Sequence, residues 1–90
     1  MNDRPEVSIP KQESQLRIAD AFNGYFEAFG IRIGVEDVVV GTQRTLCQDG
    51  WAITYGVNED ADGRLSLEFY ATHRMTNDRH VVISSDGQLE

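Results

Sequence analysis

The sequence is short of cysteine and has no long apolar run, and each shortage excludes a class of protein. Cys47 is the only cysteine of the 90 residues, so no internal disulfide can form, and a reducing cytoplasm is favoured over secretion. The opening residues MNDRPEVSIPKQESQ are polar and lack the apolar segment of a signal peptide. Because no run is long enough to cross a bilayer, we expect a soluble cytoplasmic protein.

Positive charge is also scarce, since fifteen acidic residues outnumber eight basic ones and the net charge is −7. Non-specific binding to nucleic acid needs clustered positive charge, so the composition argues against it. Adhesion to an anionic membrane surface is excluded for the same reason. The charge is compatible with a basic protein partner. Mimicry of a nucleic-acid backbone is the least favoured alternative, because the acids are scattered along the chain.

Motifs for catalysis are missing as well. The sequence contains no G-x-S-x-G, no glycine-rich phosphate loop and no CxxC pair. Cys47 is predicted to point away from His73, so a cysteine–histidine pair is not expected. The sequence therefore favours a protein that is not an enzyme, and it predicts no cofactor.

What the sequence does contain is a helical pattern followed by strands. Apolar residues recur every three or four positions between Lys11 and Phe29, and Gly30 is placed to end the helix in a left-handed conformation. The stripe is Leu16, Ala19, Phe22, Phe26 and Phe29, and Ile18 and Tyr25 widen it. Residues 1–10 show no periodicity and are predicted to form a flexible arm.

Beyond Gly34 the apolar period shortens towards two, which is typical of strands. Val38-Val39-Val40 resembles a buried strand with a bulge at Gly41, although residues 31–41 could also form two strands or a loop. Asp49-Gly50 predicts a type I′ hairpin turn. Three more strands follow, in WAITYGV, RLSLEFYATHR and RHVVIS.

A helix followed by about four strands predicts a two-layer α+β fold, with the N-terminal helix on one face of an antiparallel meander. Residues 11–84 would form this single domain, and residues 85–90 a frayed tail. With a second hairpin centred near Ala61, alternation places the large apolar residues of the strands under the helix. These are Trp51, Ile53, Tyr55, Val57, Leu65, Leu67, Phe69 and Ala71.

The other face of the predicted sheet is small and mild rather than charged, and it has no predicted cover. Its central residues are Thr45, Ala52, Thr54, Tyr70 and Thr72. Because a 90-residue core gains most from added buried area, we predict that this face binds another protein and that the chain forms a homodimer. The sequence thus favours a protein-interaction module.

The segment HRMTNDRH at residues 73–80 contains both histidines and supports an alternative function. A four-residue turn would place His73 opposite His80 and Arg74 opposite Arg79. This cluster could bind an anion, or His73 and His80 could share a metal with Asp49. A three-residue loop would instead place His73 opposite Val81. The third interpretation is a polar hairpin end with no ligand.

The loop NEDADG at residues 58–63 matches the first half of a calcium-binding loop. The closing acid of such a loop belongs at its twelfth position, which is Phe69 in this chain. The sequence therefore predicts an acidic hairpin loop here rather than a calcium site.

Overall fold

The computed structural model describes residues 10–75 and 78–90, and it contains one helix packed against one sheet. Helix α1 (Lys11–Tyr25) is followed by two 3₁₀ turns, Glu27–Phe29 and Val35–Asp37. The strands are β1 (Gln43–Gln48), β2 (Trp51–Glu59), β3 (Leu65–His73) and β4 (Arg79–Ile83). Their order is β1-β2-β3-β4, and every neighbouring pair is antiparallel. The predicted α+β fold is confirmed, while residues 1–9 of the predicted arm lie outside the described ranges.

Helix α1 and Phe26, the residue directly after it, bury one stripe of side chains, Ser14, Ile18, Ala19, Phe22 and Phe26. The predicted stripe was wrong at both ends, because Leu16 is 49% exposed and Phe29 is 38% exposed. Leu16 lies off the stripe, which steps mainly by four residues. Phe29 turns outwards because the backbone tightens into a 3₁₀ turn after Tyr25. Gly30 ends that turn at φ 69°, in the predicted left-handed conformation.

A buried amide ties the segment after the helix to α1. The Asn23 side chain donates to the Ile33 carbonyl at 2.9 Å and accepts from the Ile33 N–H at 2.7 Å. Ile31 and Ile33 are thereby held in the core. Because both polar backbone groups of Ile33 are satisfied by one side chain, the segment needs no strand partner here.

The valine run lies in a loop, one of the possibilities left open for residues 31–41, and does not form a buried strand. Val38 is fully buried, but Val39 and Val40 are 48% and 45% exposed. The reason lies in the flanking backbone, since a 3₁₀ turn precedes Val38 and Gly41 adopts φ 90°. The Gly41 N–H donates to the Val57 carbonyl, and the Val57 N–H donates to the Thr42 carbonyl. Gly41 and Thr42 therefore both lie opposite Val57, which is the predicted bulge.

The first hairpin has the predicted geometry. Asp49 and Gly50 have φ values of 54° and 84°, as a type I′ turn requires. Leu46 pairs with Ile53 and Arg44 with Tyr55, which is the register that a two-residue turn at Asp49-Gly50 requires.

The second hairpin is shifted by two residues from its predicted register, so that Ile53 pairs with Ala71 and Tyr55 with Phe69. The acidic loop is responsible for the shift, because the Asp60 carboxylate accepts the N–H groups of Asp62 and Arg64 and centres the turn further along the chain. An even shift leaves every side chain on its face. The predicted core residues of β2 and β3 are therefore all buried under α1.

Both registers predicted for the last hairpin are wrong. Tyr70 pairs with His80, Phe69 with Val81 and Leu67 with Ile83. The apolar residues favour this register, because it places Val81 beside Phe69 and Ile83 beside Leu67, whereas the three-residue loop would place Val81 beside His73. The predicted turn at residues 75–78 includes Thr76 and Asn77, which lie outside the described ranges.

The C-terminal residues lie against β4 instead of extending as a frayed tail. Asp86 accepts from the Ser84 hydroxyl and the Gln88 N–H, and Gly87 turns the backbone at φ 87°. Val82 and Glu90 then exchange backbone hydrogen bonds. The outer edge of β4 is thus partly covered by the chain itself. Within the described ranges, neither α1 nor the two 3₁₀ turns has the length and hydrophobicity of a membrane span.

Candidate functional site: the open side of the sheet

The face of the sheet opposite α1 is not covered by any described element, and we call it the open face. Strand alternation assigns its residues from the observed registers. They are Gln43, Thr45, Cys47, Ala52, Thr54, Gly56, Asn58, Ser66, Glu68, Tyr70, Thr72, His80 and Val82. All five residues of the predicted interaction face lie here and are exposed. Glu68 is the only carboxylate among them, in a protein of net charge −7.

A cluster of three polar side chains lies near the β4 side of the open face. His80 Nε2 is 2.5 Å from Glu68 Oε2, and the Tyr70 hydroxyl donates to the same oxygen at 3.2 Å. The rings of Tyr70 and His80 stack at 4.2 Å between centroids, with 2° between their planes. One carboxylate thus orients both rings, so that they present a flat surface to solvent.

Electrostatics within the cluster favours the neutral phenol. The negative charge of Glu68, and its hydrogen bond to the hydroxyl, raise the pKa of Tyr70 above the ordinary value of 10.0. The hydroxyl therefore remains a hydrogen-bond donor throughout the neutral range. The His80–Glu68 contact becomes an ion pair only when the imidazole is protonated. Because all three groups are substantially exposed, solvent screens this pair.

Beside the cluster, the open face dips over Gly56. The depression has a volume of ≈ 290 Å³ and is bordered by Gln43, Thr54, Asn58, Glu68 and Tyr70. A β-carbon at Gly56 would meet nothing closer than 3.6 Å, so packing within the monomer does not require glycine there. The missing side chain lets another molecule approach the backbone of β2 closely.

His73 lies on the other face of the sheet, where it joins the ends of two hairpins. The Met75 N–H donates to Nδ1 at 3.1 Å, and Nε2 is 3.2 Å from the Asp49 carbonyl. Since Nδ1 accepts, Nε2 must carry the proton and donate. The ring also packs against Trp51, with centroids 4.8 Å apart. Both ring nitrogens are therefore used in holding the turns together.

The structure does not bring the predicted ligand residues together. The side chains of His73 and His80 extend from opposite faces of the sheet. Asp49 contacts the His73 ring with its backbone carbonyl and not with its carboxylate. Arg79 pairs with Ala71 rather than Arg74, which lies beside Gly50. Among the described residues, no three histidine, cysteine or acidic side chains are grouped closely enough to hold a metal. The corrected register removes the geometry on which the anion and metal predictions depended.

A polar groove of ≈ 500 Å³ lies at the end of the sheet away from His73. It is bordered by Asp60, Arg64, Asp86 and Glu90. Two of its carboxylates are already used by the backbone. The Arg64 N–H lowers the pKa of Asp60, and the Ser84 hydroxyl together with the Gln88 N–H lowers the pKa of Asp86. These carboxylates stabilise their own turns, which agrees with the hairpin interpretation of NEDADG.

The two edges of the sheet differ. The register and the Val57–Thr42 hydrogen bond show that Thr42, Arg44, Leu46 and Gln48 direct their backbone groups towards β2. Gln43, Thr45 and Cys47 direct theirs outwards, and no described residue bonds these groups. We call this row the free edge of β1. The free edge and the open face together form the open side of the sheet.

No protein-family model, curated protein or solved structure matches the chain. The candidate site therefore depends on the geometry alone. Sequence reasoning found most of the open face but missed the role of Glu68, because only the correct β3–β4 register places it beside His80. It also missed the difference between the two edges, which depends on where residues 84–90 fold back.

Proposed function

We propose that the protein is a self-associating interaction module, and that a second copy of the chain binds the open side of the sheet. The observation that carries the proposal is the near absence of charge from the open face. Two molecules of net charge −7 repel each other, and this repulsion opposes association least where each presents little charge. The open face presents Glu68 alone, with His80 beside it.

The composition of the open face supports the same conclusion. Tyr70 is 54% exposed, and its stack on His80 fixes a flat aromatic surface before any partner arrives. Tyrosine is enriched at protein interfaces, because one end of it is apolar and the other donates a hydrogen bond. Thr45 and Thr54 add paired hydroxyls, with their oxygens 3.1 Å apart. Such a face suits a protein partner better than a small ligand, because it is broad and shallow.

The size of the core gives a further reason for association. The helix, the sheet and the segment between them bury sixteen hydrophobic residues in a single cluster. Domains of this size gain stability when a second copy covers more of their surface. The exposed free thiol of Cys47 suits such a module in a reducing compartment such as the cytoplasm.

An anion or metal site at the hairpin end has less support, since His73 and His80 face apart and both nitrogens of His73 are engaged. No arrangement among the described residues resembles a nucleophile with its base, so we propose binding rather than catalysis.

Sedimentation velocity tests the proposal directly. Over roughly 1 µM to 1 mM, binding free energies run from about −8 to −4 kcal/mol, and we expect monomers to convert to dimers within this range. Hydrogen exchange at both ends of the range should show added protection on the open side of the sheet, at β1 for a contact through the free edge or at the exposed residues of β2 and β3 for a contact through the open face. Protection of α1 instead, or a monomer throughout, would contradict the proposal.

A matched pair of variants locates the interface. Thr45→Glu adds a negative charge on the open side, whereas Gln12→Glu adds the same charge on the exposed surface of α1. We expect Thr45→Glu to weaken the dimer at least about tenfold, because like charges then meet across the interface. Gln12→Glu should leave the dissociation constant nearly unchanged. Equal effects from both variants would show that only total charge matters.

A further inference from the structure

We infer that the second copy binds through the free edge of β1, in an antiparallel β1–β1′ pair with its two-fold axis at Thr45. This inference rests on the self-association proposed above and specifies its geometry. The two four-stranded sheets would then become one continuous sheet of twice the width. The open faces of both copies would lie side by side on that sheet and remain available to a further protein.

The backbone of β1 supplies the first argument. Gln43, Thr45 and Cys47 alternate with residues bonded to β2, so each points an N–H and a C=O away from the sheet. An unpaired row of this kind is a template for a further strand. Six residues of β1, Gln43–Gln48, extend along this edge.

The side chains along the edge do not oppose pairing. Natural edge strands are usually protected by lysine, proline or an inward-pointing charge. The outward row here carries glutamine, threonine and cysteine, which are neutral. Arg44, the one charged residue of β1, does point to the helix side, but its charge is paired with Asp37, with 2.6 Å between Nη1 and Oδ1, so it does not act as an unpaired inward charge. Two copies can therefore approach at this edge without placing like charges opposite each other.

The opposite edge explains why a dimer should form rather than a fibre. Residues 88–90 return along β4, where Val82 bonds Glu90 and Ser84 bonds Gln88. The isolated bridge between Ile83 and Leu89 belongs to the same contact. With β4 partly covered, β1 is the more accessible edge. A two-fold pair through one edge consumes both copies of it and closes the assembly.

The register follows from the number of outward residues. An axis at Thr45 pairs Thr45 with its own copy and Gln43 with Cys47 of the second copy, so all three outward residues of each chain find partners. An axis at Leu46 would leave Gln43 opposite the Asp49-Gly50 turn. The chosen register also places Arg44 opposite Leu46 of the second copy. The methylene groups of the Arg44 side chain can then cover this leucine.

Proline at position 45 tests the pairing through the backbone. The Thr45 N–H points away from β2, so Thr45→Pro removes the outward donor and the exposed hydroxyl contact with Thr54 but no backbone hydrogen bond to β2, and it should leave a folded monomer. We expect its dissociation constant to rise roughly tenfold or more, because the donor is lost from both chains of the symmetric pair. Circular dichroism and amide NMR spectra identify the folded state before sedimentation is measured.

Engineered disulfides provide a second test that does not depend on proline. In a Cys47→Ser background, Thr45→Cys should be cross-linked to a dimer by a mild oxidant, because opposed Cα atoms lie about 5.5 Å apart. Thr54→Cys in the same background is the matched control, since Thr54 is exposed on the same face beside Thr45. In an edge pair its two copies lie three strand spacings apart, about 14 Å, which is too far for a disulfide.

The outcomes separate the two proposals. A wild-type dimer that is lost in Thr45→Pro, with cross-linking at 45 and not at 54, supports the edge pair. A dimer that persists in Thr45→Pro and cross-links at 54 would overturn the edge pair while leaving self-association through the open face intact. A wild-type chain that remains monomeric up to about 1 mM would overturn both proposals.

Discussion

Glu68 and His80 are twelve residues apart in the chain, yet Glu68 Oε2 and His80 Nε2 lie 2.5 Å apart on neighbouring strands. The same carboxylate oxygen accepts from the Tyr70 hydroxyl. This contact exists because Tyr70 pairs with His80, and it gives the open face its one fixed polar cluster. The charge on Glu68 then has a measurable effect on Tyr70.

Glu68→Gln is expected to lower the pKa of Tyr70 towards 10.0. The variant removes the negative charge that opposes formation of the phenolate, and that charge is the main cause of the raised pKa. Burial is the main cause for Tyr55, which lies on the helix side, so its raised pKa should respond little. A spectrophotometric titration near 295 nm follows phenolate formation, and Tyr70→Phe identifies which transition belongs to Tyr70. A titration unchanged by Glu68→Gln would contradict the cluster.

Asn23→Ala should destabilise the protein by about 2–4 kcal/mol. The substitution leaves the N–H and C=O of Ile33 buried without partners. Gly24→Ala is the matched control on the next residue, because a β-carbon there meets nothing within 4 Å. It should stabilise the helix by about 0.5–1 kcal/mol. Urea denaturation measures both changes, and a loss below about 0.5 kcal/mol for Asn23→Ala would show that Ile33 finds other partners.

Stability is expected to fall as the pH drops through the ordinary aspartate pKa of 3.8. Hydrogen bonds from Arg64 N–H to Asp60, and from the Ser84 hydroxyl and Gln88 N–H to Asp86, hold both pKa values below 3.8 in the folded state. The unfolded chain therefore binds more protons in this window. The contribution is fully present above about pH 5 and is lost as the pH falls through the folded pKa values.

Asn at both positions keeps an oxygen acceptor but cannot titrate. We therefore expect Asp60→Asn with Asp86→Asn to flatten the acid limb of the stability profile, measured by urea denaturation between about pH 2 and pH 6. Asp20→Asn, on the exposed surface of α1, serves as the control. An acid limb as steep as that of the wild type would show that other carboxylates control acid unfolding.

His73→Phe should destabilise the protein by about 1–2 kcal/mol, although the ring can still pack against Trp51. The loss comes from the hydrogen bonds to Asp49 and Met75. His80→Phe makes the same exchange on the open face, where the Glu68 contact is exposed, and should cost less than about 0.5 kcal/mol. Chemical denaturation compares the pair. Equal effects would mean that His73 does not hold the turns together.

Zinc should not bind His73 and His80 jointly. Their rings lie on opposite faces of the sheet, and both nitrogens of His73 are engaged within the protein. In an imidazole NMR titration we expect no stoichiometric response shared by the two rings. A joint response that saturates near one equivalent of zinc would instead restore the metal site predicted for His73, His80 and Asp49.

The sequence by itself determined the layers of the fold and the faces of the strands. The spacing of Ile18, Phe22 and Phe26 defines one helical stripe, and the alternation in β2 and β3 defines one apolar face. The predicted register of the second hairpin was wrong by two residues. Because side chains alternate with a period of two, this error left the predicted core residues on the correct face. Asp49-Gly50 was decisive for the first hairpin, since few other residue pairs accept two positive φ values.

Only the tertiary structure decided which residues of the last hairpin meet. HRMTNDRH contains no turn signal strong enough to set a register, so packing of Val81 and Ile83 on the core set it instead. That choice separated the two histidines and brought His80 to Glu68. The return of residues 88–90 along β4 likewise covers one edge and leaves β1 free. Contacts of this kind join residues distant in sequence, so local periodicity carries no information about them.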